Sequence, residues 1–502
     1  MPPLMLPDTF TPLAAAFASC FTAPTYRTFC MLVAGWVHCQ GRHTVTAVAL
    51  AADAVGWRHI AVFHRFFSRA RWDVDAVGKV VFLLALRWVP ADQSVVVLGD
   101  DTLARKQGKA IALGSMHHDP LLSQVRKAFC SFGHVWVVLA LWVPLPFGPH
   151  GAPKGIAVPV LFRLYVGSRQ GNRADATGAA TSTPSTPSTP STPGRSKRAT
   201  SGPRFVRAQR AFPVADQRPT KTQLAREGIA VVAQWLSETM PGRTLYFVGD
   251  TAYTNRTTLE ERPPNVEVVG RLRPDAALWT PPPPRRTGQM GRPRRKGTRL
   301  PTPQQLAAGR TQRGTWHRLP VILYGRPVTP LVFRGTALWY GALREAPVRF
   351  AVVRDPSSRR RDEAFFCTDL STSVRFVLET YATRWSLEVT FHDAKQHLGL
   401  TESQAQSAPA VRRTTPFAGF VYAFVVLWAA HQVTTGVRLP WPHRPWYRQK
   451  ASLSFVDLLA ALRRASLTKR THQRRALSAP PCRSRRLRKP RTRLHLFKPR
   501  TA

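Results

Sequence analysis

The sequence predicts a mixed α/β fold preceded by a helical N-terminal region. The short runs Ser94–Gly99 and Thr244–Val248 are continuously apolar, which is typical of strands buried on both faces of a sheet. Residues 315–370 alternate between apolar and polar positions, as half-buried strands do. Segments with helical spacing of apolar residues lie before, between and after these strands. The 502 residues are enough for two or three domains with a substantial core.

The first 90 residues are predicted to form a helical N-terminal domain. Within it, Thr44–Arg69 indicates two short helices around Gly56, the second ending in aromatic residues and arginine. This pair is equally well interpreted as a helix-turn-helix that reads DNA ends and as a plain helical packing unit.

Residues 91–274 are predicted to form the first part of an α/β core, interrupted by a low-complexity insertion at residues 174–203. That insertion contains four Ser-Thr-Pro units, which favour an extended surface loop. Besides the two buried runs, the predicted elements of this part are the strands Val135–Val143, Ile156–Val166 and Val266–Gly270 and the helix Lys221–Met240.

Three further segments complete the predicted organisation. Residues 275–370 form a β-rich insertion with a basic loop at Pro281–Arg299. Residues 371–462 supply core helices, including one continuous helix from about Val374 to Leu398. The last 40 residues, from Arg463, hold 15 Lys and Arg and no acidic residue, which predicts a disordered basic tail at 463–502.

The charge of the chain points to a polyanionic partner. There are 73 Lys and Arg against 27 Asp and Glu, a net charge of +46. Solubility alone needs a net charge of only about 2–8 in a small domain. Nucleic acid is the partner we expect, because neutralisation of its phosphates drives sequence-independent affinity. A basic composition that merely follows an Arg-rich genome explains the clustering of these cations less well.

Cysteine spacing and hydropathy indicate an intracellular, soluble protein. The six cysteines form no Cys-x-x-Cys pair, so neither a zinc site nor a disulfide framework is indicated. The N-terminus lacks the charged and apolar regions of a secretory signal. The longest apolar run, Phe417–Ala430, is shorter than the roughly 18–20 residues that a membrane span needs, and it predicts a buried core helix.

Three carboxylates are candidates for a metal site. Asp101 and Asp250 each follow a buried strand, at the strand end where open α/β sheets build their sites. Glu388 lies on a predicted helix. Oxygen ligands of this kind suit Mg²⁺ or Mn²⁺, and two such ions can drive an in-line phosphoryl displacement. Asp100 is adjacent to Asp101, and the pattern alone leaves open which of the two faces the metal.

A cluster of polar residues surrounds Glu388 in sequence. Tyr381, Arg384, Glu388 and Lys395 form the pattern Tyr-x2-Arg-x3-Glu-x6-Lys. At about 100° per residue, their side chains fall within roughly 60° of one another on a helix. Such a face can bind a phosphate and a divalent metal together.

These residues resemble a known family, the DDE-class transposases of bacterial insertion sequences, in the subgroup marked by that pattern. The resemblance is carried by Asp101-Thr102, the segment Gly249–Tyr253, Arg271 with Arg273, and the complete Tyr-x2-Arg-x3-Glu-x6-Lys pattern. It implies an RNase H-like catalytic core with a β-rich insertion between the second aspartate and the glutamate. It also implies that Asp101, Asp250 and Glu388 bind two Mg²⁺ or Mn²⁺ ions. Asp101 is preferred to Asp100 because the family's aspartate directly precedes threonine.

The resemblance further implies a DNA transposase. Tyr381, Arg384 and Lys395 would bind phosphates near the cleaved end, and Arg271 would either contact phosphate or form a salt bridge. Water would nick the element's end, and the freed 3′-hydroxyl would attack the opposite strand to give a hairpin and finally join target DNA. The partners are double-stranded DNA, as terminal inverted repeats and target, and a second copy of the chain in a synaptic homodimer. A cytoplasmic, nucleoid-associated location without membrane contact follows. A hydrolysis-only nuclease and a non-catalytic DNA-binding relic remain alternatives.

Three smaller motifs each allow two interpretations. The basic loop with Arg292, Arg294, Arg295 and Lys296 either inserts into a narrow minor groove or contacts phosphates. His117-His118-Asp119-Pro120 is a set of metal ligands or a polar turn, and the turn is favoured for want of a third ligand. The resemblance implies an aromatic residue of the insertion that stacks on a flipped base, for which Trp316 and Trp339 are candidates; otherwise they belong to the core.

Overall fold

The computed structural model describes residues 3–108, 111–123, 127–167, 218–309, 315–357, 361–439, 446, 450 and 452–478. Within them the helices are α1 Thr11–Ala15, α2 Ala23–His38, α3 Val45–Ala51, α4 Ile60–Ser68, α5 Val74–Leu86, α6 Lys221–Thr239, α7 Arg256–Leu259, α8 Pro303–Ala307, α9 Tyr340–Leu343, α10 Val374–Ala382, α11 Trp385–Leu398, α12 Ala408–Thr434 and α13 Phe455–Ser478. The strands are β1 Val95–Arg105, β2 Ser115–His118, β3 Cys130–Leu145, β4 Lys154–Tyr165, β5 Leu245–Gly249, β6 Val266–Leu272, β7 His317–Arg318, β8 Val321–Leu323, β9 Arg326–Val328, β10 Leu331–Leu338, β11 Pro347–Arg354 and β12 Glu363–Cys367. The low-complexity insertion lies outside the described residues.

A large mixed sheet organises the molecule, and the predicted α/β class is confirmed. Ten of the described strands form it, in the order β2-β3-β1-β5-β6-β12-β11-β10-β7, with β4 paired to β3. β3 pairs antiparallel with both β1 and β4, whereas β5 pairs parallel with β1 and β6 pairs parallel with β5. The strands of the predicted insertion extend this same sheet, because β12 pairs with β6.

Helices cover both faces of the central strands. Gly228 of α6 packs against Leu139 and Leu161, and Leu139 is the register partner of Gly99 in β1. The other face is covered by α10, where Phe376 meets Tyr246 edge to face, and by α11. Because β1 is covered on both sides, its residues Val95–Leu98 are apolar and buried.

The N-terminal helices share one hydrophobic core with the rest of the chain. Phe29, Phe66 and Phe67 contact Phe417 of α12 through their rings. Helix α12 is long and apolar enough to cross a membrane, but 83% of its apolar window is buried inside the fold. This burial confirms the prediction of a core helix at Phe417–Ala430. Helices α3 and α4 lie on either side of Gly56, as expected, and the large side chains of α4 point into this core.

Two predicted elements are corrected. The helix expected from Val374 to Leu398 is broken into α10 and α11, because the backbone at Thr383 and Arg384 makes tighter bonds to residues three positions back. Residues 463–478, expected to belong to a disordered basic tail, are instead helical, because α13 continues to Ser478. Arg463 donates hydrogen bonds to the carbonyl oxygens of Val37, at 2.5 Å, and Cys39, at 3.1 Å, so α2 holds this part of the helix. Residues beyond 478 lie outside the described part.

Candidate active site

Strand β1 carries two adjacent aspartates to opposite faces of the sheet. β1 is longer than predicted, since its pairing with β3 continues to Arg105 opposite Gly133. Asp100 and Asp101 therefore lie within the strand, and the pleat turns successive side chains to opposite sides. Asp101 shares the side of Gly99, which faces α6, and Asp100 shares the side that faces α11.

Asp100 and Glu388 are joined by one guanidinium. Arg384 Nη1 donates to Asp100 Oδ2 at 2.9 Å, and its Nη2 donates to Glu388 Oε1 at 2.6 Å. Arg384 immediately precedes α11, and Glu388 lies in the first turn of that helix, where the helix dipole favours a carboxylate. The break between α10 and α11 thus aims Arg384 at the sheet.

Asp250 lies at the same level of the sheet as Asp100. It follows β5 directly, and Gly249 of β5 is paired with Gly99 of β1. Its Oδ1 accepts hydrogen bonds from the backbone N–H groups of Ala252, at 2.9 Å, and Tyr253, at 3.2 Å, so the carboxylate is held by a tight turn.

The electrostatics of Asp100 reflect this crowding. Burial raises the pKa of its carboxyl to about 7, Arg384 opposes the rise, and the negative charges of Asp250 and Asp101 add to it. Only 19% of the side chain is exposed. The single guanidinium of Arg384 does not offset the burial and the neighbouring carboxylates, so the charged form of Asp100 is disfavoured. Groups with pKa values perturbed in this way concentrate at functional sites.

Asp101 makes a different set of contacts. Its Oδ2 accepts a hydrogen bond from Lys221 Nζ at 2.7 Å, and its Oδ1 accepts one from the Tyr253 hydroxyl at 2.8 Å. Tyr253 is buried, and its pKa is raised first by that burial and then by Asp101. Asp101 thus faces α6 rather than Glu388, and the preference for Asp101 over Asp100 stays a prediction. Sequence reasoning missed Lys221 and Tyr253, although Tyr253 closes the segment that supported the resemblance.

The remaining residues of the Tyr-x2-Arg-x3-Glu-x6-Lys pattern lie around Asp100. Tyr381 is buried against Phe365, and its pKa is raised mainly by that burial while Arg384 and Arg271 lower it. Burial lowers the pKa of Lys395, with nearby Arg105 adding to the effect and Asp100 opposing it. All four residues are thus brought to one place, although they come from two helices rather than one.

Arg271 and the histidine motif have structural partners. Arg271 Nη2 lies 2.9 Å from Glu363 Oε1 on the neighbouring strand, which is the salt-bridge alternative. Asp119 is 1% exposed and receives two hydrogen bonds from Arg105, at 2.5 and 2.9 Å, which hold the pKa of its carboxyl far below the usual value. His117 is hydrogen-bonded to Ser115 at 2.9 Å. The polar-turn interpretation of this motif agrees with these contacts.

The partners of the candidates in the insertion lie within residues 275–370 themselves. Arg292 and Arg294 are exposed, and Arg295 forms an ion pair with Glu345 at 3.4 Å. Lys296 lies against the rings of Trp279 and Tyr340. Trp339 packs on buried Phe366, and Trp316 packs on Phe333, so both predicted stacking residues contact the core.

The carboxylate oxygens of the candidate site are suitable ligands for a divalent cation, whereas the distances between the carboxylates are not. Hard carboxylate oxygens are the preferred ligands of Mg²⁺ and Mn²⁺. Among the residues the structure describes, however, no three acidic, histidine or cysteine side chains converge closely enough to hold one ion. Arg384 lies between two of the three carboxylates and supplies the positive charge that an ion would bring.

The mixed sheet carries carboxylates at its centre, an arrangement suited to a nuclease-type enzyme. The family model described as "DDE superfamily endonuclease" matches residues 16–321, which is more than half of the chain. The protein therefore belongs to the DDE superfamily endonucleases, whose members generally use divalent metal ions. The mixed sheet and its helices are consistent with the RNase H-like fold of such nucleases. No curated protein sequence matches the chain.

The matched range includes Asp100, Asp101 and Asp250 but ends before Glu388. The assignment of Glu388 therefore depends on the geometry described above and on the sequence pattern, and not on the family match.

Proposed function

We propose that the protein is a DNA transposase of a bacterial insertion sequence, which cleaves the ends of the element and joins them to target DNA. The observation that carries this proposal is the bridge from Asp100 through Arg384 to Glu388, with Asp250 at the same level of the sheet. Clustered carboxylates next to phosphate-binding cations are what metal-dependent phosphoryl transfer requires.

We propose Asp100, Asp250 and Glu388 as the residues that hold two Mg²⁺ or Mn²⁺ ions. Asp101 stays the prediction from the resemblance, and its contacts with Lys221 and Tyr253 support a positioning role instead. Bound ions would help to activate the attacking oxygen and neutralise charge on the leaving oxygen.

The chain's own cations would bind the DNA backbone beside these carboxylates. When a divalent ion takes over the neutralisation of Asp100 and Glu388, the guanidinium of Arg384 becomes available for a phosphate oxygen, for which its planar fork is suited. Lys395 and the Tyr381 hydroxyl supply further contacts on the same side. Arg271, paired with Glu363, would contact phosphate only by leaving that pair.

The partners and setting are proposed on the same basis. The net charge of +46 favours double-stranded DNA as terminal inverted repeats and target. Two DNA ends must meet for joining, so we propose a homodimer in the synaptic complex, in the bacterial cytoplasm at the nucleoid.

The test is a Mg²⁺-dependent cleavage and strand-transfer reaction on duplexes that carry the element's ends. Glu388→Gln and Asp250→Asn should each lose on the order of a thousandfold or more in cleavage rate, since each removes a proposed metal ligand. Retained cleavage in either variant would overturn the site. Cleavage without joining would identify a hydrolytic nuclease, and binding without cleavage would identify a DNA-binding relic.

A further inference from the structure

A long loop of the insertion carries an exposed methionine at its tip. We call residues 281–296 the basic arm. At its tip, Met290 is 93% exposed to solvent. A single exposed apolar side chain is ordinary by itself. Met290 is distinguished by the ordered and acid-free basic loop that carries it.

The basic arm is closed and anchored at its base. Thr280 N–H donates to the Thr298 carbonyl at 2.9 Å, and Gly297 N–H donates to the Thr280 carbonyl at 2.9 Å. Just inside this closure, Lys296 Nζ lies 3.7 Å from the ring centroid of Trp279 and 5.1 Å from that of Tyr340. A cation held against two aromatic rings fixes where the arm leaves the protein surface. Lys296 is therefore an anchor rather than a free phosphate ligand.

The tip is also ordered by its own side chains. Arg285 Nη2 donates to the Gln289 carbonyl at 2.6 Å and to the Gly291 carbonyl at 3.3 Å, so one guanidinium holds the residues on both sides of Met290. Gln289 N–H donates to the Arg286 carbonyl at 3.1 Å. Gly291 has φ of 91°, which permits the chain to reverse directly after the methionine. Ordering of this kind lowers the conformational entropy lost when Met290 is inserted into a partner.

The charge around Met290 identifies the partner. The arm contains six cations and no acidic residue, namely Arg285, Arg286, Arg292, Arg294, Arg295 and Lys296. Arg292 and Arg294 follow the tip and are exposed. Proteins that bend DNA place arginines in the minor groove and insert an apolar side chain, methionine among them, between two base pairs. A protein partner with an apolar pocket would not call for this density of positive charge.

We propose that the basic arm binds the minor groove of duplex DNA and that Met290 inserts between adjacent base pairs and bends the duplex. The inference rests on the DNA-binding part of the proposed function and not on cleavage. The arm is fixed to α9 through Tyr340, and Arg344, which follows α9, pairs with Glu260 after α7. Since α7 begins shortly after Asp250, these contacts connect the base of the arm with the segment that carries Asp250.

The experiment measures binding and bending separately, in EDTA so that cleavage is absent. The probe is a duplex of about 30 bp with an A·T-rich centre that contains a TA step, labelled with a donor and an acceptor dye at its ends. Affinity is followed by anisotropy, and bending by energy transfer in the saturated complex. Met290→Ser should bind within about threefold of wild type yet lose most of the increase in energy transfer, because the apolar wedge is gone while the cations remain. Met290→Leu should retain the bend.

The double variant Arg292→Ala/Arg294→Ala is the matched comparison. It should bind more weakly and reduce the slope of log K against log salt by about 2, since two phosphate or groove cations are removed. Thermal melts of all variants should coincide, because neither Met290 nor these arginines is buried. Equal energy transfer for wild type and Met290→Ser overturns the inference, as does a wild-type complex that does not bend. Failure of the wild type to bind any duplex overturns the proposed function as well. Bending in EDTA together with no cleavage in the separate Mg²⁺ reaction refutes only catalysis.

Discussion

Asp100 and Glu388 share the guanidinium of Arg384, at 2.9 and 2.6 Å, although they lie 288 positions apart in the chain. Asp100 comes from a central strand, and Glu388 comes from the helix packed on that strand. The arrangement assembles two acids around one cation in a half-buried place. It distinguishes Asp100 from its neighbour Asp101, which contacts α6 on the other side of the sheet.

The first prediction separates the two aspartates. Asp100→Asn should abolish Mg²⁺-dependent cleavage, with a loss on the order of a thousandfold or more, because it removes an oxygen ligand beside Glu388. Asp101→Asn should lose much less, because the amide still accepts a hydrogen bond from Tyr253 or Lys221. Single-turnover cleavage of a labelled DNA end measures both. Equal losses in the two variants, with unchanged melting temperatures, would contradict the assignment to Asp100.

The second prediction concerns stability and pH. The pKa of Asp100 is about 7 in the folded protein and 3.8 in an unfolded chain, so between these values the folded state keeps a proton that the unfolded state has lost. The contribution of this group to stability is therefore full below about pH 4, falls as pH rises to about 7 and is constant above that. Asp100→Asn removes the titrating carboxyl and with it this decline in stability with rising pH. In EDTA the variant should be more stable than wild type at about pH 8, by on the order of 2–4 kcal/mol, with little difference near pH 4.

Urea unfolding across this pH range is the measurement, and Asp101→Asn is its control. A wild-type curve parallel to that of Asp100→Asn would show that Asp100 is not held at a raised pKa. Added Mg²⁺ should stabilise the wild type at about pH 8 and stabilise Asp100→Asn less, since binding to the folded state alone adds to its stability.

The third prediction tests Asp101 as a positioning residue. Tyr253→Phe removes the hydroxyl that donates to Asp101 Oδ1 at 2.8 Å and leaves that oxygen with one partner fewer. We expect a loss of about 1–3 kcal/mol in the free energy of unfolding, because Tyr253 is buried and its hydrogen bond goes to a charged group. Mn²⁺ affinity, measured by calorimetry, should stay within about threefold, as expected if Asp101 is not a ligand. A large change in Mn²⁺ affinity would return Asp101 to the metal site.

The sequence was sufficient for the class of fold, but not for the face of the sheet on which each candidate carboxylate lies. Continuous apolar runs identified β1 and β5, because strands covered on both sides need apolar residues throughout. The pattern could not show that β1 continues past Asp100, since the polar residues there are paired with β3. Which aspartate faces α11 depends on the layer that covers each side, and this is decided by packing between distant segments.

Two other features depended on contacts that no local pattern reveals. No glycine or proline marks the break between α10 and α11, where Thr383 Oγ1 donates to the Thr380 carbonyl at 2.6 Å and the turn tightens. The continuation of α13 into the basic segment depends on Arg463, which donates to backbone carbonyls near the end of α2. Charge composition alone predicted disorder there, and a partner more than 400 positions away prevented it.

The last prediction concerns Arg384 as a competitor of the metal ion. Because its guanidinium occupies the space between Asp100 and Glu388, Arg384→Gln removes a cation that any divalent ion has to displace. The change also removes the charge that lowers the pKa of Asp100, so the carboxyl should be protonated over a wider pH range. We therefore expect Mn²⁺ to bind Arg384→Gln more tightly than wild type at about pH 8.5, by roughly tenfold, and to lose this advantage near pH 6, where protons compete for Asp100. Calorimetric titration with Mn²⁺ at both pH values measures the effect, and Lys395→Gln, which removes a cation that bridges no carboxylates, serves as the matched control. Unchanged or weaker Mn²⁺ binding by Arg384→Gln at about pH 8.5 would mean that the bridge supports the carboxylates in their metal-binding positions rather than competing for them.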